Sequence, residues 1–124
     1  MSDSGQLFVV GTPIGNLEDI THRAVSTLKS VDIILAEDTR NSKKLLNAHK
    51  IETKMISYHE HSSEKEIEKI IDLLLKGKDL ALISDAGTPT ISDPGYGLIR
   101  DCIKHDIIIV PIPGVSAITA AMSV

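Results

Sequence analysis

The chain has 124 residues, of which 42% are hydrophobic, 24% are charged and 2% are aromatic, and its formal net charge is −4. This size and balance are typical of one globular domain with a real core, and they exclude a disordered chain. The scarcity of aromatic residues argues against a base-stacking surface, and the negative charge argues against a grip on a phosphate backbone except through a local basic patch.

The cysteine content and the hydropathy pattern indicate a compartment. A single cysteine, Cys102, excludes an internal disulfide, and its apolar neighbours favour a core residue over a nucleophile. No apolar run has the length of a membrane span, and the amino terminus has neither the basic nor the apolar region of a signal peptide. These features predict a cytoplasmic protein with no membrane partner.

Short apolar runs predict buried strands at residues 7–11, 32–37, 55–59, 79–84 and 107–110. Between them, amphipathic segments predict helices with starts at Asp19 or Thr21, Asn41, Ser63 and Asp93. Residues 1–6 are expected to be a flexible terminus, followed by one domain of residues 7–124. Alternation of strands and helices implies right-handed crossovers, so the predicted fold class is α/β: a five-stranded, mainly parallel sheet with helices on both faces.

The last segment, residues 113–124, predicts a helix that is apolar on almost every side. Such a helix must be buried. We therefore expect another domain or a partner chain to cover it, and we expect this chain to be the front part of a longer polypeptide.

Each predicted strand is followed by polar or glycine-rich residues, which read GTPIGN, EDTR, YHEH, SDAGTPTISDPG and PIPGVSA. Ligands of open parallel sheets bind at the carboxyl ends of the strands, so five such loops predict a small-molecule cleft. Each loop also has a structural explanation, as a tight turn, a helix cap, a strand exit or a long surface loop.

Several common ligand motifs are incomplete in these loops. Gly11 and Gly15 do not complete G-x-G-x-x-G, and no Gly-Lys-Ser/Thr is present, so the sequence does not predict a dinucleotide site or a P-loop. His59, Glu60 and His61 lack a further spaced ligand, so no metal site is predicted.

The five motifs VGTPIGN, AEDTR, SYHEH, SDAGTPTISDPG and PGVSA, in this order, resemble the tetrapyrrole methylase superfamily over nearly all of residues 7–124. Within it they resemble the small-subunit ribosomal RNA methyltransferase I family. The resemblance implies methyl transfer from S-adenosylmethionine to the 2′-oxygen of a cytidine in the decoding centre of 16S ribosomal RNA. It also implies a homodimer of two-domain subunits, with this chain as the amino-terminal domain and the 16S RNA or small ribosomal subunit as partner. The alternatives are a methylase of a small tetrapyrrole and a non-catalytic binding or dimerisation module.

By motif matching, the resemblance assigns cofactor contacts to residues of three loops. They are Ile14, Asp85, Ala86, Gly87, Thr88, Ile91, Ser116 and Ala117, with Pro13 as the alternative to Ile14. Backbone amides of the glycine-bearing loop would approach the cofactor, and Ile91 and Ala117 would supply apolar surface for the adenine.

A ribose hydroxyl needs a base to accept its proton. The candidates at this edge of the sheet are Glu37, Asp38, His59, Glu60 and Asp85. For the first two, a first-turn or capping role on the next helix is the alternative.

Basic side chains cluster after the second strand, at Arg40, Lys43, Lys44 and Lys50. Arg40 is a candidate to hold a phosphate or to orient an acid. The whole cluster either touches RNA or forms an ordinary solvated helix face.

Overall fold

Residues 3–58, 63–89 and 95–124, the parts of the chain that the computed structural model describes, form five strands that alternate with five helices. The strands are β1 (Leu7–Val10), β2 (Ile33–Ala36), β3 (Lys54–Ser57), β4 (Leu80–Ile83) and β5 (Ile109–Ile112). The helices are α1 (His22–Ser30), α2 (Thr39–Ala48), α3 (Glu64–Leu75), α4 (Tyr96–Lys104) and α5 (Ala117–Met122).

The strands form one sheet in the order β3-β2-β4-β1-β5, and every neighbouring pair is parallel. The predicted α/β class and five-stranded parallel sheet are therefore confirmed. Side chains of β4 alternate between two cores, with Leu80 and Leu82 in one and Ala81 and Ile83 in the other. A strand covered on both faces has no solvent side, which explains why these runs are continuously apolar.

The two cores lie on opposite faces of the sheet. Leu28 of α1 and Leu46 of α2 pack on one face, whereas Ile70 of α3 and Leu98 of α4 pack on the other. The helices after β1 and β2 therefore share one face, and those after β3 and β4 share the other, as right-handed crossovers in this strand order require.

Local capping signals fix several helix ends. Thr21, rather than Asp19, caps α1, and its Oγ1 accepts the Ala24 N–H at 3.0 Å. Ser63 and Glu66 form the predicted capping box of α3. That helix ends before Gly77, whose φ of +97° suits the glycine expected there.

Several predicted boundaries are wrong. Helix α2 begins at Thr39, with Asp38 as its N-cap, rather than at Asn41, and helix α5 covers Ala117–Met122 rather than residues 113–124. Helix α4 has Gly95 as its N-cap, at φ +110° and without a side-chain cap, so it does not begin at Asp93, which lies outside the described residues. The β5 strand starts two residues later than predicted and contains Pro111. Proline is tolerated there because β5 is an edge strand, with β1 as its single neighbour.

The two ends of the described chain differ in how they contact the rest of the domain. Gly5 donates its N–H to the Leu74 carbonyl at 2.7 Å and Gln6 donates its N–H to Asp79 Oδ1 at 2.9 Å, so these two residues are bonded to the domain. Flexibility before Gly5 stays a prediction. At the other end, α5 has no buried residue, and Ile118 and Met122 are 69% and 82% exposed. Among the described helices, none has the length and apolar character needed to cross a membrane.

Candidate functional site

Strands β1 and β4 are neighbours, but the loops that follow them lead to helices on opposite faces of the sheet. The chain reverses its direction of winding here, and such a point leaves a crevice at the carboxyl edge of an open parallel sheet. A cavity of about 240 Å³ opens on the α2 side of this crevice. Its lining consists of Thr12, Pro13, Ile14, Gly15, Leu17, Asn41, Ser42, Lys44, Leu45, Ser84, Asp85 and Ala86.

A short antiparallel bridge joins the two loops that line this cavity. The Thr12 N–H donates to the Gly87 carbonyl at 3.0 Å, and the Gly87 N–H donates to the Thr12 carbonyl at 3.1 Å. The Thr12 side chain, in a residue that is 2% exposed, has its hydroxyl 3.3 Å from the Ser84 carbonyl and 3.2 Å from that of Gly87. Ser84 Oγ in turn donates to the Ala86 carbonyl at 3.0 Å. The two loops therefore form one hydrogen-bonded unit.

Gly87 has a structural role in this hydrogen-bonded unit. Its N–H is already donated to Thr12, so this amide is not offered to a ligand. Its φ of +76° lies in the left-handed region, and a Cβ there would meet just the Ile14 Cγ2 atom, at 3.7 Å. The glycine is therefore required for the backbone conformation of this loop, and a contact of Gly87 with a cofactor stays a prediction.

The cavity brings together three of the predicted cofactor residues, Ile14, Asp85 and Ala86. Thr88 is half-buried and follows the bridge, and Ile91 lies outside the described residues. Ser116 and Ala117 do not line the cavity, and the Ser116 side chain accepts the Thr119 N–H as the cap of α5. A contact of these last residues with a cofactor stays a prediction.

Asp38 is the N-cap of α2. Its Oδ1 accepts the backbone N–H groups of Arg40 at 3.0 Å and Asn41 at 3.4 Å, and it lies 3.8 Å from Arg40 Nε. The capping alternative considered for Asp38 is thus confirmed. Glu37 is half-buried, and His59 and Glu60 lie outside the described residues.

A second opening lies on the other side of α2. It is a groove of about 520 Å³ between α2 and the edge strand β3. Its lining consists of Thr39, Arg40, Lys43, Leu46, Asn47, Ile51, Glu52, Thr53 and Met55. Helix α2 therefore stands between the cavity and the groove and contributes side chains to both.

Two buried groups in the core under α3 and α4 have raised pKa values. Burial, reinforced by the nearby Asp101 carboxylate, raises the pKa of Cys102 from 9.0 to about 12, and this thiol is fully buried in the core. Burial also raises the pKa of Tyr58, although a hydrogen bond with the Leu98 backbone opposes the shift. The interpretation of Cys102 as a core residue is confirmed, because a protonated, enclosed thiol is a poor nucleophile.

Thr12 was missed by sequence reasoning. The signal available was a threonine directly after a buried strand, but its partners lie more than 70 residues away in the chain.

Within the described part of the chain, no group of three or more His, Cys, Asp or Glu side chains is placed to hold a metal ion.

An open parallel sheet with helices on both faces defines an α/β domain, and the crevice where the winding of such a sheet reverses is the usual place for a ligand. Residues 6–124 match the family described as Tetrapyrrole (Corrin/Porphyrin) Methylases, and the chain belongs to that family. Among solved structures, cobalt precorrin-4 methyltransferase aligns with a TM-score of 0.75 at 20% identity, covering 95% of this chain and 49% of that one. The uroporphyrin-III-C-methyltransferase of Thermus thermophilus aligns with a TM-score of 0.71 at 19% identity, covering 91% and 49%. At these identities the likeness shows the fold.

Sequence relatives confirm the resemblance to the ribosomal branch. The chain is 55% identical over 120 residues to the ribosomal RNA small subunit methyltransferase I of Halalkalibacterium halodurans, covering 97% of this chain and 42% of the relative. It is 54% identical to the protein of that name from Bacillus subtilis, covering 98% and 41%. The chain thus spans less than half the length of these relatives.

Proposed function

We propose that this chain is the amino-terminal part of an S-adenosylmethionine-dependent methyltransferase that modifies the 2′-oxygen of a cytidine in the decoding centre of 16S ribosomal RNA. The observation that carries the proposal is identity above 50% to ribosomal RNA methyltransferases along nearly the whole chain. Because the ribosomal subunits are in the cytoplasm, the enzyme would act there, as a homodimer of two-domain subunits.

The cavity residues fit one wall of a site for this cofactor. Ile14, Leu17 and Leu45 give apolar surface for a nucleoside base, and the exposed Asp85 carboxylate can accept hydrogen bonds from a ribose or an amine. At about 240 Å³ the cavity is smaller than the pockets that enclose ligands of this size, so a second wall is needed. The second domain implied by the relatives would supply it.

When bound, S-adenosylmethionine supplies a sulfonium methyl group. The chain's own contribution is then to position and to exclude water, because displacement requires in-line geometry in a dry cleft. The Thr12–Gly87 bridge suits that task, since its two backbone hydrogen bonds hold the two loops together.

Among the base candidates, the structure favours Asp85 over Asp38. Asp38 Oδ1 already accepts two backbone N–H groups, whereas the Asp85 carboxylate lines the cavity and has no hydrogen bond or ion pair with another described residue. An Asn at position 38 keeps the cap. In the full-length polypeptide, we therefore expect Asp85→Asn to lower methyl transfer at least 100-fold by the usual magnitude of general base catalysis. Binding of S-adenosylmethionine should be retained, because the asparagine amide oxygen still accepts a hydrogen bond. Asp38→Asn should retain activity, and the reverse result would assign the base to Asp38.

Cofactor binding is tested by filling the cavity. Ala86 is exposed and lines it, so Ala86→Leu should weaken S-adenosylmethionine binding at least tenfold in calorimetry of the full-length polypeptide. Ala48→Leu is the matched control, because Ala48 is an exposed residue of α2 that lines neither opening. Equal affinities in the two variants would contradict the location of the cofactor.

The substrate is tested by transfer of labelled methyl groups to small ribosomal subunits, to naked 16S RNA and to porphyrinoids. Transfer to porphyrinoids alone would favour the tetrapyrrole alternative.

The exposed apolar residues of α5 favour a second candidate, a non-catalytic binding or dimerisation module. A strictly monomeric, stable chain in sedimentation would argue against it.

A further inference from the structure

Positive charge is concentrated on α2 and the turn that follows it. Residues 39–50 contain four of the 13 cationic side chains of the protein and no acidic one. The rest of the chain carries nine cations and 17 acids, so this segment has the opposite charge from its surroundings. We call its members, Arg40, Lys43, Lys44 and Lys50, the α2 basic surface.

These cations are available to a partner. Arg40 is 93% exposed in its side chain, and its ion-pair contact is a distant one, 3.8 Å from Asp38. Lys43, Lys44 and Lys50 are exposed and make no ion pair with another residue that the structure describes. The helix therefore presents unneutralised charge to solvent.

The position of this surface connects the two openings. Lys44 lines the cavity of the proposed site, and Arg40 and Lys43 line the groove beside β3. A chain of phosphates that crosses α2 would thus pass from the groove to the mouth of the cavity while remaining within reach of cationic side chains.

The chemistry of the surface favours a polyanion over a protein. Leu45 and Leu46 of α2 are buried, and no large apolar side chain of residues 39–50 is exposed, so the apolar anchors of a protein interface are absent from this stretch. The exposed aromatic Tyr96 belongs to α4, on the opposite face of the sheet. Contacts here would therefore be to phosphates, which position a strand, rather than to stacked bases.

We infer that the α2 basic surface binds the phosphates of the ribosomal RNA strand next to the methylated nucleotide and leads that strand into the cavity. This inference rests on the proposed function. Each lysine that neutralises a phosphate releases a counterion and steepens the salt dependence of binding.

The test uses the full-length polypeptide and a labelled RNA oligonucleotide with the sequence around the decoding-centre cytidine. For the double variant Lys43→Gln/Lys44→Gln, loss of two phosphate contacts should reduce the slope of log K against log salt by about 1.4, and affinity at 0.1 M salt should fall about 25-fold. Lys65→Gln/Lys69→Gln is the matched control. It removes the same charge from exposed positions of α3, on the other face of the sheet, and should change neither quantity.

The charge-preserving variant Lys43→Arg/Lys44→Arg should keep the wild-type slope, which separates loss of charge from misfolding. An unchanged slope and affinity in the glutamine variant, with methyl transfer by the wild type intact, would overturn the inference and leave the proposed function standing; the surface would then be an ordinary solvated helix face. A wild type that neither binds S-adenosylmethionine nor transfers methyl groups would overturn the proposed function and the inference with it.

Discussion

Gly11 follows β1 at a point where neighbouring backbone leaves little room for a side chain. Its backbone passes that of Gly114, which follows β5. A Cβ added to Gly11 would lie 2.8 Å from Gly114 N and 2.9 Å from Gly114 Cα. Both are backbone atoms, and the Gly11 N–H is bonded to the Ile112 carbonyl at 3.0 Å, so neither strand end can rotate away.

The expected cost of Gly11→Ala follows from two opposing effects. Overpacking that forces a backbone shift costs about 1–3 kcal/mol. Replacing glycine by alanine also stiffens the unfolded chain, which stabilises the fold by about 0.4–1 kcal/mol. We therefore expect a net loss of about 1–2 kcal/mol in the free energy of unfolding.

Gly15→Ala is the matched control, because the same methyl group at Gly15 meets nothing within 4 Å. It should leave stability unchanged or raise it slightly. Gly114→Ala should fall between the two variants, since its Cβ would lie 3.1 Å from backbone atoms of Gly11. Urea unfolding followed by circular dichroism measures all three, with the slope m expected to stay constant. Equal stability of Gly11→Ala and Gly15→Ala would refute the close approach of the two loops.

Three further predictions concern the Thr12–Gly87 bridge and the buried core. Thr12→Val keeps the side-chain shape but removes the hydroxyl that bonds the Ser84 and Gly87 carbonyls, so it should lower the free energy of unfolding by about 1–2 kcal/mol, whereas Thr12→Ser should retain most of it. Gly87→Ala places a side chain at φ +76° and should cost about 1–2 kcal/mol, with Gly87→Asn costing less because asparagine tolerates this region; equal urea midpoints for the two would contradict this reasoning. The Cys102 thiol, with its pKa raised by burial from 9.0 to about 12, contributes stability that is fully present below pH 9 and is lost as the pH rises toward 12, because the unfolded chain loses this proton first. The free energy of unfolding measured between pH 8 and 10.5 should therefore fall more steeply for the wild type than for Cys102→Ala, and parallel curves would contradict the burial effect.

Local signals in the sequence predicted the features that depend on neighbouring residues. The Ser63–Glu66 capping box acts within one helical turn, and the apolar run of β4 reflects burial on both faces, so both could be predicted without the tertiary structure. The start of α4 could not, because it depends on the left-handed conformation of Gly95, which overrides the local signal of Asp93 and Pro94. The shift of β5 onto Pro111 likewise depends on that strand lying at the edge of the sheet.

In the candidate site, too, some features could be predicted from the sequence and others depend on the tertiary structure. The rule that ligands bind at the carboxyl edge of a parallel sheet predicted which loops would meet, and Ile14, Asp85 and Ala86 do line one cavity. The roles of Thr12 and Gly87 could not be predicted without knowing the strand order. Thr12 can bond to the β4 loop because β4 lies next to β1, although more than 70 residues separate the two segments in the chain.

The position of β4 between β1 and β2 accounts for the location of the cavity and for the side on which it opens. Had β1 and β2 been neighbours, their loops would have led to helices on the same face, with no crevice between them. Because β4 lies between β1 and β2, the β1 and β4 loops diverge, the Thr12–Gly87 bridge joins them at the base, and the cavity opens toward α2. Helix α2 lies on the α1 face of the sheet, where Lys44 lines the cavity and Arg40 and Lys43 line the groove, whereas the helices on the opposite face line neither opening. Under the proposed function, an RNA strand that approached along the groove would therefore cross α2 before it reached the cavity.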